Sequence, residues 1–310
     1  MEVLVIGAAV LDITACPIEK DGKWAEKQSI DKVMFALGGD AANQCIRLED
    51  VGVKTGIASA VGHDRNGDMI RLELEHKGTN TKHLTVKSEN PTGTSLVLLD
   101  SKAERTTFSV KGGAYAALNK DDISDICLDG LKAISVASFF IQPNLEKDGG
   151  LESILRQACD KNILTFADLS HDKNNLGLNG IKRFLPYIKY FLPSIYDVEK
   201  MNGVKGAEKN ARIFRDLGCE NVIIKCGSEG CYVDAVDFKG WVKAKKVTPV
   251  DTTGAGDCMV ALFISRIIAG DSSEKACRFA CDGASYSTLF YGAGGGTVTP
   301  ENIETLDFSY

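Results

Sequence analysis

The sequence predicts an α/β protein whose central, mostly parallel sheet is flanked by helices, and three observations carry that expectation. Six short apolar runs recur along its 310 residues. Between them lie longer segments with apolar residues at spacings of three and four, the repeat of a helix that buries one face. Strands separated by whole helices return in the same direction and pair in parallel. A composition of 44% hydrophobic and 25% charged residues gives enough apolar surface for a packed core and is too apolar for a disordered chain.

Taken in order, the first run, Val3–Ile6, is wholly apolar, as a strand buried on both faces must be. Thr14–Phe35 alternates in a more exposed manner. Ala41–Leu48 has helical spacing, Thr55–Ala60 reads as a strand, and Gly67–Lys77 as its covering helix. Thr94–Leu99 and Arg105–Val110 alternate around the polar turn Asp100–Glu104. Together with Thr14–Phe35 they predict a small second sheet, a lid formed discontinuously by about residues 13–36 and 93–111 of one domain spanning 1–310. The remainder alternates again. Ala133–Val136, Ile163–Asp168, Tyr190–Leu192 and Asn221–Lys225 read as strands, and Leu151–Asp160, Ala207–Leu217, Ala255–Ala269 and Glu274–Phe290 as helices.

Charge and composition exclude several classes of function. With 36 basic and 42 acidic residues the net charge is −6, which removes the electrostatic footprint of sequence-independent nucleic-acid binding. No apolar stretch approaches the roughly 20 residues needed to cross a bilayer. The start imitates a signal peptide, but Glu2 stands where a basic leader belongs and Asp12 interrupts the apolar run, so it reads as a first buried strand. Ten cysteines without paired CxxC spacing, and four histidines, suit a reducing cytoplasm better than a disulfide framework or a zinc site.

The most informative stretch is Asp251-Thr252-Thr253-Gly254-Ala255-Gly256-Asp257, followed at once by an apolar helix. Small residues let backbone approach a ligand. At a helix start the N–H groups of Ala255, Gly256 and Asp257 would point outward together, and the helix dipole adds positive potential where a phosphate could sit. A carboxylate beside that cradle suits a base that takes a proton from a hydroxyl attacking phosphorus. The chain has no GxxxxGK(S/T) loop, and a dinucleotide fingerprint fails because position 259 is Met. Upstream, Gly38-Gly39-Asp40-Ala41-Ala42-Asn43 opens a helix and Asp12 is expected to close the first strand. Polar groups at the ends of parallel strands face the ligand crevice, so Asp12, Asp40 and Asn43 could hold sugar hydroxyls.

These two segments, with Gly52 and Gly62-His63-Asp64-x-x-Gly67, resemble the paired signatures of the ribokinase-like (PfkB) carbohydrate kinases. The resemblance covers the chain from the strand before Asp12 to the Gly292–Thr297 loop. It implies a ribokinase-like fold and ATP-dependent phosphorylation of a sugar hydroxyl. Asp257 would be the general base, Gly254, Ala255 and Gly256 the anion hole, and Asp12, Gly38, Gly39, Asp40 and Asn43 the substrate contacts. Lys225-Cys226-Gly227-Ser228-Glu229-Gly230 matches the family's TxGxxG nucleotide loop with Lys in place of Thr, so Lys225, Gly227, Ser228 and Gly230 would line ATP. Cys281 stands where the late helix flanks adenine.

The family's NxxE motif falls on Ser194-Ile195-Tyr196-Asp197. Asp197 would hold Mg2+ through water and Ser194 would face the nucleotide, on a shorter arm and with one amide fewer. Asp251 and the Thr253 carbonyl, with the Gly292–Thr297 loop, resemble the K+ site of some members. Ribokinases usually carry GGKGAN and an Asn two residues before the first Asp, where this chain has Asp40 and Val10. An Asp at 40 repels an existing phosphate, which favours an unphosphorylated sugar or sugar acid. A nucleoside, or a catalytically silent sugar-binding role, stands as the alternative. Family members often dimerise through the lid, whose uncovered strand edges need a partner, so a homodimer is expected.

Overall fold

The computed structural model describes residues 1–18, 29–100 and 105–304. Thirteen strands fall into two sheets among these residues. The large sheet contains β1 (Val3–Ile6), β4 (Thr55–Gly62), β5 (Asn80–Lys87), β8 (Ala133–Phe139), β9 (Leu164–Leu169), β10 (Tyr190–Phe191), β11 (Asn221–Lys225), β12 (Cys231–Asp234) and β13 (Lys239–Val242). Its order is β13-β12-β11-β10-β9-β8-β1-β4-β5. All pairings from β11 to β5 are parallel, while β12 and β13 are antiparallel additions.

Alternation along β1 explains the two cores. Val3 and Val5 project into one cluster, with the helices Asp40–Asp50, Ala255–Ile268 and Ser273–Ser287. Leu4 and Ile6 project into the other, with the helices Gly150–Asp160 and Ala207–Asp216. A strand covered on both faces has no polar side to offer, hence its unbroken apolar sequence. The helix Ala255–Ile268 buries nine of its residues from Cys258 to Ile267 for a similar reason, being packed between the sheet and two other helices.

The small sheet contains β2 (Val10–Ile18), β3 (Lys32–Gly38), β6 (Thr94–Asp100) and β7 (Arg105–Ser109), in the order β3-β2-β6-β7. Its centre is the parallel pair β2–β6, in register Ile13 opposite Leu96. The parts of the lid at 19–28 and 101–104 lie outside the described residues.

Two expectations need correction. Asp12 does not close the first strand: β1 ends at Ile6, the chain turns through Gly7–Ala9, and Asp12 lies inside β2 of the small sheet. Three strands, β5, β12 and β13, have no counterpart among the apolar runs. β5 is an edge strand with the polar alternation NTKHLTVK, and β12 and β13 form a short meander after β11 where a helix would otherwise return the chain.

Candidate active site

The strand order reverses at β1. From β1 the chain proceeds to β4 and β5 on one side, then crosses to β8 on the other. The carboxyl ends of β1 and β8 therefore flank the crevice where open α/β sheets bind ligands. The helix Asp40–Asp50 begins over this crevice. Asp40 Oδ1 accepts hydrogen bonds from the amides of Ala8, just past β1, and Ala41, both at 2.7 Å. The carboxyl also engages the Ser138 hydroxyl at the end of β8. Burial nevertheless pushes Asp40 up to about 6, because these bonds do not offset the lost hydration.

One turn further along the same helix, Asn43 Nδ2 donates to Asp257 Oδ2 at 2.7 Å. The two glycine motifs, from opposite ends of the chain, thus meet because their helices pack side by side. Asp257 is raised to about 7: burial is the main cause and the Asp40 charge adds to it, while the Asn43 amide and Lys225 pull the other way. That places its ionisation where a base working at neutral pH needs it.

The tip of the helix Ala255–Ile268 is set by Gly254. Its φ of 74° is left-handed, and a Cβ there would lie 2.4 Å from that of Ala293. The Ala255 amide donates to the Thr252 carbonyl at 3.3 Å, so of the three amides expected to face an anion, one turns inward. Gly256 and Asp257 remain in the first turn, where helical N–H groups lack intrahelical partners. Lys225, the last residue of β11, brings its ammonium against this tip: a Cβ on Gly256 would sit 3.4 Å from Nζ. The same ammonium is paired with Asp168 Oδ2.

Asp168, near the end of β9, is not among the residues expected from the sequence. Its signal was present, an acid closing the apolar run Ile163–Asp168 in a parallel sheet. Burial raises its pKa against the attraction of Lys225, and Asp197 adds repulsion from the next strand's connection.

Other expected residues are distributed less uniformly. Asp12 lies against the GGD turn, since a Cβ on Gly38 would come within 2.4 Å of its Oδ2. Gly227, Ser228 and Gly230 form the tight link between β11 and β12, closed by a bond from the Cys226 amide to the Gly230 carbonyl at 2.8 Å. Ser194 caps the helix Ile195–Asn202: its hydroxyl accepts from the Asp197 amide at 3.1 Å and donates to Asp197 Oδ2 at 2.5 Å. Ser194 therefore orients Asp197. The Asp197 carboxylate gives hard oxygen donors that fit a magnesium ion arriving with a nucleotide, whereas both oxygens of Asp168 are taken, Oδ2 by Lys225 and Oδ1 by the Leu169 amide. Cys281 is buried, with its thiol 3.9 Å from that of Cys231, so it backs the wall behind the loop. No helix among the described residues is long and apolar enough to cross a membrane.

Comparison with known proteins agrees with this fold. The description "pfkB family carbohydrate kinase" matches residues 1–300. A ribokinase from Haemophilus influenzae is 25% identical over 288 residues, covering 88% of this chain and 87% of its own. Two solved structures share the fold. A putative ribokinase II from Escherichia coli superposes with a TM-score of 0.83 at 21% identity, with 98% of each chain covered. An Arabidopsis thaliana ribokinase complexed with ribose and ATP also scores 0.83, at 23% identity and 99% coverage of each chain.

Proposed function

Because the chain belongs to the pfkB family of carbohydrate kinases, we propose that it moves the terminal phosphoryl group of ATP onto a hydroxyl of a small unphosphorylated sugar or sugar acid. The observation that carries this reading is the contact between Asn43 and Asp257, which brings the GGD helix and the DTTGAGD helix to one point at the switch of the sheet. A sugar hydroxyl lying there would be held by Asp12, Asp40 and Asn43 and would give its proton to Asp257. Charge developing on the phosphoryl oxygens faces the Gly256 and Asp257 amides and the Lys225 ammonium, fixed donors of the kind that lower the barrier most.

Lys225 in place of Thr strengthens that corner, and Asp168 keeps its ammonium from wandering. When magnesium is bound, Asp197 would hold it through water, and the ion would neutralise phosphate charge. The acidic set Asp12, Asp40, Asp168 and Asp257 supports a substrate without its own phosphate. Two copies pairing through the small sheets would close the lids over the crevices and keep water from the phosphate.

An ADP-release assay across ketoses, aldoses, sugar acids and nucleosides tests the reading. At least one sugar should give turnover, and Asp257→Asn should lower it by about 10²–10⁴-fold, the usual worth of a positioned base. Sugar-dependent thermal shifts without ADP from any compound would instead leave a binding protein.

A further inference from the structure

The loop Gly292–Thr297, with Asp251 and Thr253, is the place where the family resemblance implies a potassium ion. In this chain the loop is already held by a side chain. Arg47, on the helix Asp40–Asp50, is 1% exposed. Its Nη1 donates to the Gly296 carbonyl at 2.7 Å and to Asp50 Oδ2 at 2.9 Å. Its Nη2 donates to the carbonyls of Ala293 at 2.7 Å and Gly295 at 2.8 Å. Three carbonyl oxygens of one short loop converge on one buried guanidinium, an arrangement that carbonyl dipoles otherwise make around a metal cation.

The anionic oxygens of the implied site are engaged as well. Asp251 Oδ2 accepts from the Gly292 amide at 2.9 Å. Its Oδ1 accepts from the Thr253 amide at 2.9 Å and the Thr253 hydroxyl at 2.7 Å. An ion approaching those oxygens meets the positive ends of N–H and O–H dipoles, and the permanent charge of Arg47 stands on the same loop. With three of its carbonyls turned onto a buried guanidinium, the loop side of the implied site does not fit a potassium ion.

We infer that Arg47 is the loop's resident cation, so that this chain positions its anion hole without potassium. The path is short. Ala293, whose carbonyl Arg47 holds, packs against Gly254, where no Cβ would fit. Gly254 in turn sets the tip of the helix that carries Gly256 and Asp257. Arg47 also shares its helix with Asp40 and Asn43, so one rigid element joins the sugar floor to the anion hole. Asp50 offsets part of the buried charge. Arg47 touches neither substrate nor phosphate in this scheme and acts as a positioning residue.

The activity half of the test rests on the kinase reading; the melting half does not. Wild type, Arg47→Met and Arg47→Lys are compared with potassium replaced by tetramethylammonium at constant ionic strength. Wild-type melting temperature and ADP release should be indifferent to the exchange. Arg47→Met should lower kcat by about 10²-fold, the cost of an ångström's misplacement near a reacting centre, with KM for the sugar little changed. Arg47→Lys keeps the charge without the fork and should recover only part of that loss. A wild-type melting temperature or turnover that rises saturably with potassium overturns the inference, as does an Arg47→Met protein that melts and turns over like wild type. If Arg47→Met fails to fold, the wild-type cation exchange still decides. If no sugar yields ADP, the kinase reading fails while the melts still judge Arg47.

Discussion

An aspartate that accepts a proton at neutral pH must be moved from its ordinary value of 3.8, and Asp257 is moved to about 7 by burial first and Asp40 second. This shift also has a consequence for stability. Between the two values the folded state holds the proton more tightly than the unfolded chain does. The stabilisation is therefore complete at acid pH and is lost as pH rises through that window. Asp257→Asn abolishes this dependence. Its melting temperature should exceed that of wild type at about pH 8 and fall to parity or below at about pH 4; paired melts across that range check it. Equal pH slopes for the two proteins would show that the carboxylate is not displaced. Asp257, Asp40 and Asn43 were legible in the sequence because small residues and carboxylates at helix starts have a chemical reason. Asp168 was not, since a strand-ending acid looks alike whether or not a lysine from another strand reaches it. Ser194 was legible as a position, while its bonding to Asp197 depends on a helix cap that only the fold reveals.

At the scale of elements, the proposed anion hole depends on one turn. Gly254 combines a left-handed φ with contact against Ala293, so Gly254→Ala meets both a conformational cost of about 1–2 kcal/mol and a clash with Ala293. The expected result is a lower melting temperature and a turnover loss of about tenfold or more, on the scale of a misplaced donor, while circular dichroism keeps the wild-type helix content. Unchanged turnover would mean that the tip does not need this turn. Helices that bury one stripe were legible by their period, as Gly150–Asp160 is through Leu151, Ile154, Leu155 and Ala158, and Ala255–Ile268, buried nearly all round, by its long apolar run. β12 and β13 were not, because four residues show no period and CYVD and KGWV, unlike the VLVI of β1, are not unbroken apolar runs either. The shortness of β12 also hid the tight closure of the loop Cys226–Gly230, which exists only because β12 turns straight back along β11.

Across the whole molecule, one face of the small sheet carries exposed apolar side chains among the described residues. Phe35, Ile13, Leu96 and Phe108 lie in one row across its four strands, and Phe35 and Phe108 are 58% and 55% exposed. Asp12 falls on the opposite face by alternation, beside the GGD turn. Such an exposed apolar row fits a second copy of the same sheet. Light scattering at micromolar concentration should give the mass of two chains, and Phe35→Glu with Phe108→Glu should reduce it to one; a wild-type mass of one chain removes the dimer. The overall plan was legible because alternating strands and helices permit few topologies, whereas the change of direction at β1 that makes the crevice is a fact of strand order. That order has a temporal side. The Asn43–Asp257 bond spans 214 positions of sequence, so during synthesis the amide waits for its carboxylate until most of the polypeptide has left the ribosome. Any product released before position 257 lacks the partner of Asn43 and leaves that end of the crevice open.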